Sequence, residues 1–269
     1  MFTLVENKGV SFYTSSLLRS RHAFSTRLGG ISRLEHTGSL NLSFDRGDDV
    51  LTVLTNLQRF ANAVGVEANY IVSVSQVHSN EVRAITRRQA GAGYHKSVMF
   101  SCDGYVTEEK DIPLGVKTAD CVPILIEGRD DYGRVVAVSA VHAGWRGTVK
   151  LIAKTAVEEL CLLGIKQENI YVAIGPAIDV CCYEVGEDFV NEIKNKLGQN
   201  YEMKYITSKE NGKFFADIKG MNFEILRSCG VPQENIDLCS LCTCCNPELF
   251  YSHRRQRGIR GSMLNIICK

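Results

Sequence analysis

Three side chains that bind borderline-soft metals stand at the edges of apolar, strand-like runs far apart in this chain. They are His78 in Gln76-Val77-His78, Cys121 in Ala119-Asp120-Cys121, and His142 in Val141-His142-Ala143-Gly144-Trp145-Arg146-Gly147. Their separations of 43 and 21 residues are too long for a zinc finger or ribbon. A fold that unites them must therefore bring several strands together at one place. Two imidazoles and one thiolate suit zinc and leave a fourth position open for water or substrate. That set points to metal chemistry rather than to a closed structural staple. Taken singly, each residue has a plainer reading: a lone histidine is more often structural, and a lone cysteine behaves as a small buried hydrophobe.

The run 135–141 reads as a buried strand that delivers His142 at its C-terminal end. Gly144 and Gly147 permit a tight turn, and Thr148 is placed to cap the next helix. Free N–H groups in such a turn, with the planar fork of Arg146, make a candidate anion cradle; a glycine turn with a solvated arginine is the alternative. Further short runs rich in Val and Ile predict strands at 22–26, 70–75, 104–107, 122–126, 170–174, 236–239 and 263–267. Helical periods cover 49–64, 148–163, 187–197 and 217–229, the first capped by Asp48 or Asp49 and the last closed by Gly230. Strands outnumber helices and do not alternate with them strictly. The expectation is an α/β (α+β mixed) fold with mixed sheets and flanking helices, not a doubly wound nucleotide fold. No repeat or linker divides the chain, so residues 1–269 are expected to form one domain.

The chain has 269 residues, 45% apolar and 23% charged, with a net charge of +1. That balance offers no broad basic field for nucleic acid, and the apolar runs are too short for a membrane span. With no secretory leader evident, the eleven cysteines are expected to be reduced thiols of a cytoplasmic protein. Arg27, in the turn 25–32, and Asn41 and Arg46, in the loop 41–49, are candidates for phosphate or sugar contacts, with ordinary surface turns the alternative. Lys117 can lower the pKa of the Cys121 thiol, and Asp120 can support it or carry a proton. Cys239, Cys242, Cys244 and Cys245 lie within seven residues, whereas a structural four-cysteine site normally draws on two separated pairs. They, and the adjacent Cys181 and Cys182, therefore read as ordinary thiols.

Gln76-Val77-His78, Thr118-Ala119-Asp120-Cys121-Val122-Pro123-Ile124 and His142-Ala143-Gly144-Trp145-Arg146-Gly147-Thr148 resemble the motifs of the YfiH-type family. This family is also called laccase-domain or polyphenol-oxidase-like. Ile174-Gly175-Pro176-Ala177-Ile178, Cys182-Tyr183-Glu184-Val185-Gly186, Cys242-Thr243 and Phe250-Tyr251-Ser252-His253-Arg254-Arg255 extend the resemblance over nearly the whole chain. It implies zinc on His78, Cys121 and His142, and a helix/sheet/sheet/helix stack distantly similar to cysteine-hydrolase toxins. It also implies phosphorolysis of adenosine, inosine, guanosine and methylthioadenosine, with adenosine deamination as a second activity. Purine nucleosides and phosphate would then be the partners of a monomer or weak homodimer. One departure is Gly261-Ser262-Met263, where the family pattern usually has Arg after the Gly.

On this reading Asp120, Cys121 and Arg146 are the candidate catalytic residues, and Arg27, Asn41, Arg46, Lys117 and Arg146 the candidate substrate and phosphate contacts. The His-x-Glu motif of zinc nucleobase deaminases is absent, since Glu81 follows His78 by three residues. A multicopper laccase would need many histidines, often as His-x-His pairs, and this chain has six and no such pair. Copper in the two-histidine, one-cysteine set remains chemically open. A cysteine hydrolase or amidase acting on cytoplasmic peptidoglycan precursors, with Cys121 as nucleophile, is the second enzymatic reading. A zinc-binding module without catalysis is the third, and the open coordination position argues against it.

Overall fold

In the computed structural model, which describes residues 1–209 and 212–269, the chain opens with a hairpin of Phe2–Asn7 (β1) and Val10–Ser15 (β2). It turns through Lys8 and Gly9, both at positive φ, the geometry that matches the twist of a tight hairpin. Arg21–Ser25 (β3) follows, then the helix Val50–Val64 (α1). Next come Val82–Ala84 (β4), Gly104–Thr107 (β5), Leu114–Thr118 (β6), Val122–Arg129 (β7) and Val135–Ala143 (β8). Helices Trp145–Val149 (α2) and Ile152–Leu162 (α3) lead to Ile170–Ile174 (β9). A small outlying sheet then forms from Glu184–Val185 (β10), Ile206–Ser208 (β11) and Phe214–Ala216 (β12), with helices Glu187–Leu197 (α4) and Gln199–Tyr205 (α5) between its first two strands. Helix Ile218–Ser228 (α6) and strands Ile236–Leu238 (β13) and Met263–Cys268 (β14) complete the elements.

Two large sheets carry the core. The five-stranded sheet runs β1-β2-β3-β14-β6 and is antiparallel throughout. The six-stranded sheet runs β13-β9-β7-β8-β5-β4 and is mixed, with parallel pairs at both edges. All eight residues of β7 are buried, as a strand covered on both faces requires. On one face Ile124 and Ile126 pack with Ala153, Val157 and Leu160 of α3 and Ile225 of α6. On the other, Leu125 joins Val138, Phe24, Val116 and Ile267, so the two sheets meet across an apolar layer. The opposite face of the five-stranded sheet, through Phe12, Ala23, Leu264 and Ile266, receives Leu57, Phe60 and Ala61 of α1. Burying each large side chain there stabilises the packing by roughly 1.5–3 kcal/mol.

Asp49 caps α1 by accepting from Thr52 N at 3.1 Å, and Gly65 ends it at φ 82°. Asp217 caps α6 in the same way through Gly220 N, at 2.7 Å. Two expectations are corrected. Thr148 does not cap a helix over 148–163: it lies inside α2, whose N-cap is Gly144, and Leu151 at φ 64° separates α2 from α3. Its hydroxyl instead bonds to Gly144 O and receives Asn222 Nδ2. Residues 70–75 are not a regular strand: Tyr70 ends the 3-10 turn Ala68–Tyr70, and 71–75 form only single bridges, from Val72 to Leu114 and from Ser75 to Ser101. Among the described residues no helix is long and apolar enough to cross a membrane.

Candidate metal centre

The antiparallel register of β7 and β8 pairs Pro123 with His142 and Val122 with Ala143. The end of β8 therefore lies beside the start of β7, and Cys121, one residue ahead of β7, meets His142. His78 arrives from the loop after residues 71–75, at φ 59°. The ligand atoms of His78, Cys121 and His142 all fall within 4.8 Å of one another. Cys121 Sγ is 4.0 Å from His78 Nε2, and the imidazole rings stand edge to face at 5.0 Å.

Asp103, fully buried just ahead of β5, orients two of the three ligands. Its Oδ1 accepts from His142 Nδ1 at 2.8 Å and from His78 N at 3.0 Å. Its Oδ2 accepts from Ser79 N and Ser79 Oγ, each at 2.7 Å, and from Val77 N at 3.2 Å. Fixing Nδ1 of His142 on a carboxylate leaves Nε2 as the metal-facing nitrogen. Burial opposes the charge on Asp103, but the bonds from His142 and Ser79 outweigh it and hold the carboxyl far below the usual carboxylate range. Burial likewise opposes a thiolate at Cys121, yet the positive field of His142, aided by His78, pulls its pKa down to about 6. For His142, burial is outweighed by Cys121 and Asp103, and its pKa rises to about 9. The two shifts favour thiolate on Cys121 and the proton on His142; the thiolate is the form a metal ligand requires, and a cation would displace the imidazole proton. The donor set thus fits a zinc-type ion.

Glycine at 144 is a packing requirement here. A Cβ at that position would sit 2.6 Å from His78 Cδ2 and 3.4 Å from Cys121 Sγ.

The three ligands line one corner of a cavity of about 590 Å³. Arg46, Lys96, Lys117 and Arg260 bring cations to its wall beside the carboxylate of Asp45, and Phe44, Tyr94 and Phe100 add aromatic surface. Arg46 Nε and Arg260 Nη1 both donate to Ser262 Oγ, at 3.3 and 2.6 Å. Arg260 Nε is buried with no partner among the described residues, and burial followed by the nearby Arg46 charge lowers its pKa to about 10. Burial also lowers the pKa of Lys117.

The structure thus gathers His78, Cys121, His142, Arg46 and Lys117 around one cavity and leaves four other candidates off its wall. Arg27 is committed to Gly38 O and Pro247 O and stacks on Tyr251. Asn41 is fully buried and holds the Arg46 loop, donating to Ser43 O and Asp48 and accepting from Ser262 N. Arg146 is exposed and stacks on Trp145 at 4.3 Å. Asp120, at φ 97°, spends both carboxylate oxygens on Thr243 Oγ1, Ser252 Oγ and Arg254 N. That geometry gives Asp120 a positioning task rather than a free acid or base. Sequence reasoning missed Asp103, which carries no spacing signal, and Arg260. The latter stands immediately before the departure at Gly261-Ser262, which was the available clue.

A sequence profile of the multi-copper polyphenol oxidoreductase laccase family matches residues 21–269. The chain belongs to this family. Adenosine deaminase RL5 from an unknown prokaryotic organism is 37% identical over 87% of this chain and 88% of its own length. Purine nucleoside phosphorylase YlmD of Bacillus subtilis is 34% identical, covering 91% of this chain and 86% of its own. The crystal structure of YlmD from Geobacillus stearothermophilus superposes with a TM-score of 0.88 at 32% identity, covering 97% of this chain and 96% of that one. The family's descriptive name notwithstanding, only two of the six histidines enter a metal-capable cluster among the described residues. His22, for example, is spent on Ser15 N and Ser20 O.

Proposed function

We propose that this protein is a zinc-dependent purine nucleoside phosphorylase. It would convert adenosine, inosine, guanosine or methylthioadenosine and phosphate to free base and the corresponding ribose 1-phosphate, and deaminate adenosine as a second activity. One observation carries the reading: a metal-capable corner, a wall with four Lys and Arg side chains, and aromatic side chains share a single cavity. Relatives named purine nucleoside phosphorylase and adenosine deaminase support it. In phosphorolysis a phosphate oxygen bonds to C1′ of the sugar as the bond from C1′ to the base breaks. Arg46, Lys117 and Arg260 are placed to hold the phosphate, and Phe44 and Tyr94, 5.5 Å apart, offer ring surface to the purine. His78, Cys121 and His142 would hold the zinc, whose Lewis acidity is what the group supplies when bound. Asp120 positions the Cys121 turn, while Arg146 and Arg27 lie outside the cavity wall. The packing of α3 and α6 on one sheet, of the two sheets on each other and of α1 on the second supports a helix/sheet/sheet/helix stack; its likeness to cysteine-hydrolase toxins is carried over from the family resemblance. The protein is read as one cytoplasmic catalytic domain, a monomer or weak homodimer.

Chromatography of products from adenosine and inosine, with and without phosphate, tests the reaction. Free base and the sugar phosphate should appear only when phosphate is present. Phosphate-independent release of base, or no turnover by zinc-loaded protein, sinks the phosphorylase reading. Alanine at His78, Cys121 or His142 should each abolish turnover and the zinc held at this centre; a variant that keeps the ion of this centre removes that residue from the ligand set.

The cationic wall is tested separately. Arg46→Ala and Arg260→Ala each delete hydrogen bonds to a charged group worth about 1.5–3 kcal/mol. The KM for phosphate should rise roughly 10–100-fold, with a much smaller change in the KM for nucleoside. Equal changes in both constants would remove these arginines from the phosphate site. Arg146→Ala serves as the comparison and should leave the phosphate KM nearly unchanged.

The Cys121–His142 ion pair also supports a second reading, a cysteine hydrolase or amidase. Metal-free protein then labels fast at Cys121 with an alkylating agent and loses activity only on labelling. Activity lost on chelation alone and restored by zinc excludes it.

A further inference from the structure

Strands β9 and β13 are parallel neighbours, and the loop after each one carries two cysteines of a single cluster. Cys181 and Cys182 lie beyond β9, and Cys242 and Cys245 beyond β13. The backbone stitches the loops together. Thr243 N donates to Ala177 O at 3.0 Å, and Ala177 forms a bridge with Cys242. This brings the four sulfurs within 4.8 Å of one another. The closest approaches are 3.7 Å between Cys181 and Cys182, 3.5 Å between Cys181 and Cys245, and 3.3 Å between Cys182 and Cys245.

These distances select among the things four cysteines can do. A disulfide needs its sulfurs about 2 Å apart. A cubane iron–sulfur cluster binds its cysteines at the outer corners and spreads them much more widely. One zinc-class ion with thiolates at about 2.3 Å sets tetrahedral edges of about 3.8 Å. The spacing fits the last. Cys242 and Cys245 also have the two-residue gap usual for one half of a structural zinc site. The other half was missing from the run 239–245, and the fold supplies it from 60 residues earlier, by pairing with Cys182 and its neighbour. Cys239 and Cys244 do not join the group.

Few of the surrounding bonds reach the sulfurs themselves: Asp179 N donates to Cys242 Sγ at 3.4 Å. The others fix the loops. Arg254 donates to Cys182 O and Arg255 to Cys244 O. Lys219, only 3% exposed, donates to Cys239 O at 2.8 Å, its charge being taken up by Asp179 at 2.6 Å.

We propose that Cys181, Cys182, Cys242 and Cys245 form a closed tetrathiolate site for one zinc ion, distinct from the His78, Cys121 and His142 site. With four protein ligands it has no open position and is structural. What it clamps is the turn that presents Cys121. Ile178 N donates to Asp120 O at 2.9 Å from the first cysteine loop, and Thr243 Oγ1 donates to Asp120 Oδ1 at 2.6 Å from the second.

Metal counting on the full chain, purified reduced and supplied with zinc, tests the site. Wild type should hold two ions per chain, and His142→Ala one. The ion kept by His142→Ala should give, on cobalt replacement, intense sulfur-to-cobalt charge transfer of a four-thiolate site. Cys181→Ser combined with Cys245→Ser should lose that ion, keep the other, and melt at a lower temperature. The His142→Ala measurement does not require the double variant to fold. A His142→Ala protein that binds no metal overturns the proposal. So does alkylation of the four thiols at equal rates with and without zinc, a disulfide linking the loops under reducing conditions, or iron as the bound ion. Because the two ions are counted separately, failure here is distinct from failure of the phosphorylase reading.

Discussion

Replacing Asp103 by alanine is expected to weaken metal binding at His78, Cys121 and His142 and destabilise the fold at once. The carboxylate is fully buried and accepts from His142, Ser79, and the backbone N–H groups of Val77 and His78. Without it, Nδ1 of His142 loses the partner that fixes its tautomer, and three backbone donors lose theirs. Outer partners of metal-bound histidines are worth roughly 10–100-fold in metal affinity. Breaking a buried, hydrogen-bonded charge pair by removing one partner costs about 3–5 kcal/mol. Zinc titration by calorimetry and chemical denaturation of metal-free protein measure the two effects separately. Asp103→Asn keeps the shape but has one acceptor oxygen in place of two, so it should fall between wild type and alanine. Unchanged zinc affinity in the alanine variant would remove Asp103 from the site. The pH dependence has a definite sign. The folded carboxyl lies below its unfolded value of about 4, so its stabilisation is complete above that pH and is lost as pH falls through the folded pKa. Acid denaturation of Asp103→Ala should lack this component.

That His78, Cys121 and His142 converge, and that a strand delivers His142, was legible because both depend on local patterns. A β-branched apolar run ending in His142 specifies a buried strand, and the Gly-rich turn beyond it specifies where that strand stops. The hairpin β1–β2 was not legible because β1 buries neither face well, and its alternation is correspondingly weak. The cavity wall was hidden for a different reason. Arg27, Asn41, Arg46 and Arg146 are all polar residues in turns, and nothing local states which of them faces the metal. That is settled by β14, whose approach brings Ser262 and Arg260 against Arg46. Asp103 is hidden in the same way, since its partners come from residues 77–79 and from the end of β8. The cysteine group shows the limit most directly. Within 239–245 four cysteines look alike, and only the parallel pairing of β9 with β13 selects Cys242 and Cys245 and gives them partners.

Gly144→Ala should leave the fold intact and empty the metal site. Gly144 has φ −67°, which alanine adopts without strain, so the backbone raises no objection. The side chain does. Its Cβ would lie 2.6 Å from His78 Cδ2 and 3.3 Å from His78 Nε2, and His78 can retreat only by leaving Cys121 and His142. Zinc affinity should therefore fall at least about tenfold, as for loss of a supporting contact to a ligand, and turnover should fall with it. Alanine in place of glycine at a helix N-cap also costs up to about 1 kcal/mol, and that contribution must be separated. Gly186 provides the control, because it is the N-cap of α4 with φ −89° and a Cβ there meets nothing within 4 Å. Gly186→Ala should show the capping loss alone, with zinc affinity unchanged. If both variants lower stability alike and both bind zinc like wild type, the close approach of Gly144 to His78 does not control the site. If only Gly144→Ala loses the ion, a single missing methyl group is what lets a strand end, a turn and a helix start converge on one cation.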